Sequence, residues 1–304
     1  MVLRNFLLFL SQQKHLRRFV EQSGYSAKLT KRFIAGQALG DVVSVARKLN
    51  SDRILVTLDH LGENVTSTEE AAASRNSYLE SLRSIQAERL DSTVSVKLTQ
   101  LGLDLSYEVC RENLAALVEM AAAIGTRVEV DMESSAYTDR TLQLVEEMHR
   151  RYRSVRAVLQ AYLYRTEDDV RALNAAGVPI RLCKGAYREP ESVAFPRKEQ
   201  VDQNYKHLLR LMFESGKEPA VASHDGAMIE AALTLARLLN VEPEQFEFQM
   251  LYGIRRDLQE RLVKDGFRLR LYVPYGDAWY PYFMRRLAER PANVLFLARN
   301  VLRR

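Results

Sequence analysis

Short apolar runs of strand-like length recur along the chain, and each is followed by a longer stretch whose apolar residues repeat with helical spacing. The runs are Arg53–Asp59 (RILVTLD), Val94–Leu98 (VSVKL), Arg127–Asp131 (RVEVD), Val155–Gln160 (VRAVLQ), Pro179–Lys184 (PIRLCK), Ala220–His224 (AVASH), Phe246–Gln249 (FEFQ) and Arg268–Val273 (RLRLYV). The stretches between them carry helix punctuation. Thr66–Glu70 offers hydroxyl caps with glutamates in the first turn, and Ser106 precedes a periodic segment that stops near Gly125. A third helix is expected between Arg165–Asp168 and Gly177.

Eight strands alternating with helices predict an α/β chain folded as a (β/α)8 barrel, whose usual size is about 250 residues. An open doubly wound sheet is the competitor, but it more often shows a glycine-rich turn after its first strand. Here Gly62 is the only glycine in that region. The barrel is therefore the expected architecture over residues 51–304, with residues 1–50 as an N-terminal helical segment packed on it and a turn around Ala35–Gly40.

Composition narrows the class without identifying it. The chain has 304 residues, 47% of them apolar, enough for a sizeable core. Two cysteines exclude a disulfide framework. The longest apolar run near the start, Phe6–Leu10, is too short for a membrane span or a signal-peptide core. The net charge of +5 is unevenly placed. Residues 1–50 hold nine Lys/Arg against two Asp/Glu and residues 285–304 hold six against one, which leaves the body at −7. An acidic body with basic flanks argues against a nucleic-acid binder. It leaves open a contact between a flank and an anionic membrane or partner.

In a (β/α)8 barrel the reacting groups stand at the C-terminal strand ends. Here those ends read Asp59, Lys97, Asp131 with Glu133, Gln160, Lys184, His224, Gln249 and Tyr272. Any one of them could be a capped turn, but the set is hard to explain so. Lys97 lies near the end of an apolar strand, where an ammonium is costly to bury unpaired; a Schiff base, an anion binder and a surface lysine all fit. Asp131 and Glu133 could hold a metal or cations, but no His or Cys stands near them in sequence, so no metal site is expected. The segment RLCKGAYREP (181–190) puts Arg181 and Lys184 in an apolar strand, followed by Gly185 and Ala186, which leave room for a flat ligand against the backbone. In WYPYFMRRLAER (279–290), helical spacing gathers Tyr282, Arg285, Arg286 and Glu289 around one turn, and guanidinium forks suit a planar carboxylate.

Together with SVKLTQLGLDLS (95–106), VEVDME (128–133), LQAYLYRT (159–166), FEFQMLYG (246–253) and YVPYGDAWYPYFMRRLAERPANVLF (272–296), these segments resemble the proline dehydrogenase family, in order and with compatible spacing. The length is similar to that of the short monofunctional bacterial members, without the aldehyde dehydrogenase module of the fused proteins. The resemblance implies a flavoenzyme that oxidises L-proline to Δ1-pyrroline-5-carboxylate by hydride transfer to N5 of a non-covalent FAD and passes the electrons to a membrane quinone. Carried over position by position, it puts Lys97, Arg285 and Arg286 on the substrate carboxylate, with Asp131 and Glu289 holding those cations. Tyr187, Leu251, Tyr272 and Tyr282 would wall the proline ring, and Gln160, Arg181, Lys184, Gly185, His224 and Gln249 would contact the flavin. Arg188 departs from the family's pattern, standing where the fused members usually carry Trp. The implied partners are L-proline, the quinone, an anionic membrane surface touched peripherally from the cytoplasm, and a downstream pyrroline-5-carboxylate dehydrogenase. The competing enzyme class is a class I aldolase-type barrel with Lys97 or Lys184 as the Schiff base.

Overall fold

The computed structural model describes residues 32–62 and 65–280. Eight parallel strands close into one barrel in sequence order. They are β1 (Leu55–His60), β2 (Ser92–Val96), β3 (Val128–Val130), β4 (Val155–Gln160), β5 (Ile180–Cys183), β6 (Ala220–Ala222), β7 (Glu247–Leu251) and β8 (Leu269–Tyr275). Closure runs through β1 and β8, paired from Leu55↔Arg270 to His60↔Tyr275. Every expected strand is present. Lys97, Asp131, Lys184 and His224, expected as the last residues or nearly so, instead fall just past their strands.

Eight described helices surround the barrel: α1 (Leu39–Ser51), α2 (Thr68–Ala87), α3 (Tyr107–Ala123), α4 (Thr138–Tyr152), α5 (Thr166–Ala176), α6 (Lys198–Ser215), α7 (Gly226–Leu239) and α8 (Arg256–Lys264). Their ends follow local chemistry. The Ser67 hydroxyl accepts from Glu70 N at 3.2 Å and caps α2, Ser106 caps α3, and Gly177 ends α5 at φ 71°. The helix α1 buries Val42, Val43 and Ala46 against β1 and β8, covering the seam where the barrel closes. Just before it, Ala35 N donates to Pro274 O and Gly276 N donates to Gly36 O, both at 3.0 Å, which ties residues 35–36 to the C-terminal end of β8. Residues 1–31 of the expected N-terminal segment lie outside the described residues.

The two sides of the sheet differ sharply in chemistry. Alternate residues such as Val94, Val128, Leu182, Phe248 and Leu271 pack outward into the main hydrophobic cluster with the helices. The intervening positions are polar. Glu129 of β3 hydrogen-bonds Gln249 of β7 although these strands are not neighbours, which places both inside the closed sheet. Around them lie Thr57, Thr93, Ser95, Arg156, Arg181, Glu247 and Arg270, all buried. Barrel interiors are usually filled by branched apolar residues. Here three guanidinium groups interleave with the carboxylates of Glu129, Glu247 and Asp131. Arg270 Nε reaches Glu247 Oε1 at 2.9 Å and its Nη1 caps Val56 O at 2.9 Å. Arg156 bridges Glu129 and Glu247. Burying such charges is tolerable because each is paired and hydrogen-bonded; removing one partner typically costs about 3–5 kcal/mol.

Candidate active site at the C-terminal mouth of the barrel

The mouth of the barrel is built on three adjacent strands. Asp59 closes β1 but one, Lys97 follows β2, and Asp131 follows β3, so the lysine has a carboxylate on each side. The Lys97 ammonium lies 3.2 Å from Asp131 Oδ2 and 3.7 Å from Asp59 Oδ1. Asp131 is the hub: its Oδ1 accepts from Ser95 Oγ at 2.8 Å and from Arg181 Nη2, and its Oδ2 accepts from Tyr272 OH at 2.9 Å. The Arg181 guanidinium continues inward to Glu129 Oε2 at 2.9 Å and Gln249 Oε1 at 3.2 Å, and lies 5.5 Å from the Tyr272 ring centroid. Gln249 gives its amide N–H groups to Glu129 and Glu247, so its side chain belongs to the layer beneath Arg181.

These contacts set the protonation states. Burial alone would raise the Asp131 carboxyl, but Arg181 and Lys97 overcome it and hold the group at about 2. Asp59 goes the other way: burial pushes it up, and the pull of Lys97 does not compensate. Lys97 is half-buried and loses hydration there, yet Asp59 and Asp131 keep its ammonium above the ordinary lysine value. Tyr272 is pushed well up by burial and by the neighbouring Asp131, so its phenol is a donor and not a base. Cys183 is pushed up to about 11 by burial and donates to Leu159 O at 3.3 Å, an inert thiol. Glu133 accepts from Thr99 N at 3.1 Å and Thr99 Oγ1 at 2.7 Å. Among the described residues no group of His, Cys, Asp and Glu could hold a metal ion.

A second cluster edges the mouth on the β5–β6 side. Lys184 pairs with Asp202 of α6 and with Asp225 Oδ2 at 2.7 Å, the residue whose carboxylate also caps α7. Gly185 holds φ 109°, and a side chain there would strike the Tyr162 ring. The loop beyond it carries the exposed Tyr187, and Glu189 accepts from Ser135 N at 2.8 Å to fasten the loop across to the β3 side. His224 Nε2 accepts from Leu251 N at 2.8 Å, which leaves that nitrogen unprotonated and anchors the ring to the end of β7. Gln160 donates to Met132 O at 3.2 Å, while its Oε1 is buried with no hydrogen-bond partner among the described residues.

The structure therefore gathers Lys97, Arg181 and Tyr272 around Asp131, with Gln160, Lys184, Gly185, Tyr187, His224 and Leu251 on the strand ends and loops of the same face and Gln249 in the layer beneath. Tyr282, Arg285, Arg286 and Glu289 lie outside the described residues. Sequence reasoning did not assign roles to Ser95, Glu129, Arg156, Glu247 and Arg270. Their signal was present: RVEVD (127–131) and RLRLY (268–272) alternate charge with apolar residues at a period of two, which is foreign to an apolar barrel lining. Nothing in the spacing could have shown that Asp202 and Asp225 converge on Lys184, because they come from two different helices.

A family model for proline dehydrogenase matches residues 42–299. Proline dehydrogenase 2 of Bacillus subtilis (strain 168) is 41% identical over 296 residues, covering 97% of each chain. The proline dehydrogenase of Deinococcus radiodurans is 34% identical over 307 residues, covering 99% of this chain and 98% of its own. Among solved structures, proline utilization A from Bdellovibrio bacteriovorus superposes with a TM-score of 0.81 at 28% identity, over 87% of this chain and 33% of that one. By the match of nearly the whole chain, and by a barrel of the same architecture, this protein belongs to the proline dehydrogenase family of oxidoreductases.

Proposed function

We propose that the protein oxidises L-proline to Δ1-pyrroline-5-carboxylate, the first step of proline catabolism, using a non-covalently held FAD and a membrane quinone as the final electron acceptor. The observation that carries this reading is the Lys97–Asp131–Arg181–Tyr272 cluster at the mouth of a barrel of this family. The residues fit a flavin. Gln160 Oε1 is a buried acceptor lacking a donor among the described residues, Arg181 and Lys184 bring cations to one rim, and Gly185 keeps the backbone bare beside them. Arg181, Lys184, Gly185, Gln160 and His224 would hold FAD, with Gln249 supporting Arg181 from below. When bound, FAD supplies the two-electron acceptor.

The chain's own groups then have a positioning task. Lys97, together with Arg285 and Arg286, would neutralise the proline carboxylate, and Tyr187, Leu251, Tyr272 and Tyr282 would enclose the ring. Asp131 holds Lys97 and Arg181 as charged donors, and Glu289 would do the same for the arginines. Fixing the ring in this way supplies proximity and excludes water, which is the larger part of what the protein must add. An aldolase-type mechanism has no comparable support. A Schiff base needs a neutral amine, and the Lys97 ammonium is stabilised by two carboxylates while Lys184 pairs with two others.

No described helix is long and apolar enough to cross a membrane. The basic flanks are the candidates for a peripheral contact with the anionic membrane where the quinone resides, from the cytoplasmic side. The product would pass to a pyrroline-5-carboxylate dehydrogenase. The function is tested with the purified protein. It should release FAD on heat denaturation and reduce an artificial acceptor only when L-proline is present. A colourless protein that stays inert after FAD is added would refute the proposal. Salt-insensitive, lipid-independent sedimentation with anionic liposomes would refute the membrane contact.

A further inference from the structure

We propose that Asp59 is a positioning residue for Lys97, holding the ammonium from the β1 side so that its remaining N–H groups face the substrate carboxylate. The inference rests on the reading of Lys97 as a carboxylate binder. Asp59, Lys97 and Asp131 stand at the ends of three consecutive strands, so the ammonium is flanked by one carboxylate per neighbouring strand. The two carboxylates are not equivalent. Asp131 divides itself among Ser95, Arg181, Tyr272 and Lys97. Asp59 is 1% exposed and is also stabilised by the Tyr272 hydroxyl and, more weakly, by Arg181, but its Oδ1 has no hydrogen-bond partner among the described residues and the cation paired with that oxygen is Lys97.

A buried carboxylate oxygen with so little compensation weakens the fold. Lys97 would remain paired through Asp131 without it, so stability alone does not account for an acid at this position. Orientation does. An ammonium has three N–H directions. Asp131 takes one of them as a hydrogen bond at 3.2 Å, and Asp59, at 3.7 Å on the opposite side, acts by charge alone to hold the ammonium between the two strands, leaving its other N–H groups for a ligand.

Two effects of Asp59→Asn have opposite signs, and this makes the test decisive. Removing an anion beside the lysine raises the local positive potential, which by itself would tighten binding of a carboxylate. Losing the orientation would weaken it. We expect KM for L-proline, and the dissociation constant of cyclopentanecarboxylate measured by calorimetry on the flavin-loaded protein, both to rise about tenfold, as for one misaligned charge-assisted hydrogen bond. The thermal midpoint should stay level or rise, and flavin content should be unchanged. In a Lys97→Met background, Asp59→Asn should add nothing, because the two residues act as one unit.

Unchanged or tighter binding in Asp59→Asn, or an additive double variant, would overturn the proposal. A lower thermal midpoint with unchanged binding would show a purely structural carboxylate and overturn it as well. If Lys97→Met alone left both constants at the wild-type value, the reading of Lys97 would fall and this inference with it. A weakened Lys97→Met beside a normal Asp59→Asn would overturn the inference alone.

Discussion

Replacing Asp131 by Asn keeps the shape of the site's hub and removes its charge, so the cost can be worked from its titration. In the folded protein the carboxyl sits at about 2, against 3.8 for the free group. That depression is worth about 2 kcal/mol at neutral pH, at about 1.4 kcal/mol for each pKa unit. Because the folded value is the lower one, the stabilisation is complete above the unfolded-state value and is lost as pH falls through the folded value. About half of it is gone by pH 3 on the linkage relation. The Asn variant should therefore unfold in urea with about 2 kcal/mol less stability at pH 7. The gap to wild type should narrow to about 1 kcal/mol near pH 3. Proline oxidation should also fall sharply, because Lys97 and Arg181 lose their shared counter-charge. A gap that is constant with pH, or absent, would refute the assignment of Asp131 as the anion that balances both cations.

Other consequences follow from single contacts. Gly185→Ala places a methyl group at φ 109° against the Tyr162 ring, and should lower FAD content and the thermal midpoint together, by several degrees in the latter; normal flavin occupancy would contradict the tight approach. Arg285→Met and Arg286→Met should each raise KM for proline strongly with FAD still bound, and unchanged steady-state kinetics in both would remove the carboxylate clamp from the account. Tyr282→Ala should relax discrimination against ring-substituted prolines, read from kcat/KM ratios; wild-type selectivity would show that the ring is walled elsewhere.

The barrel was legible because its outward faces obey simple rules. Runs such as RILVTLD and VRAVLQ are strand-length and bury their apolar positions under helices whose caps, Ser67, Ser106 and Gly177, are written locally. The polar strand ends were legible for the same reason: once eight parallel strands are laid out, Asp59, Lys97, Asp131, Gln160 and Tyr272 fall at one face. What was not legible is which of them touch. Asp131 meets Arg181 and Tyr272 from strands 50 and 141 positions further along the chain, contacts fixed by barrel closure and not by any local pattern. Gln249 shows the limit most clearly. Its amide is committed to Glu129, Glu247 and Arg181, and no local pattern pairs it with Glu129 of β3 or Arg181 of β5. Strand position alone does not say how deep in the barrel a side chain finds its partners. The interior charge layer itself needed the closed geometry, since Arg156, Glu129 and Glu247 are brought together across the barrel axis.

The central claim is that this barrel uses a flavin to take two electrons from L-proline. An absorbance spectrum of the purified protein, recorded without oxygen before and after addition of L-proline, tests it most directly. The protein should show a flavin band at about 450 nm that bleaches on adding L-proline and persists on adding pyrrolidine, which lacks the carboxylate. A flavin band that survives excess L-proline would contradict it.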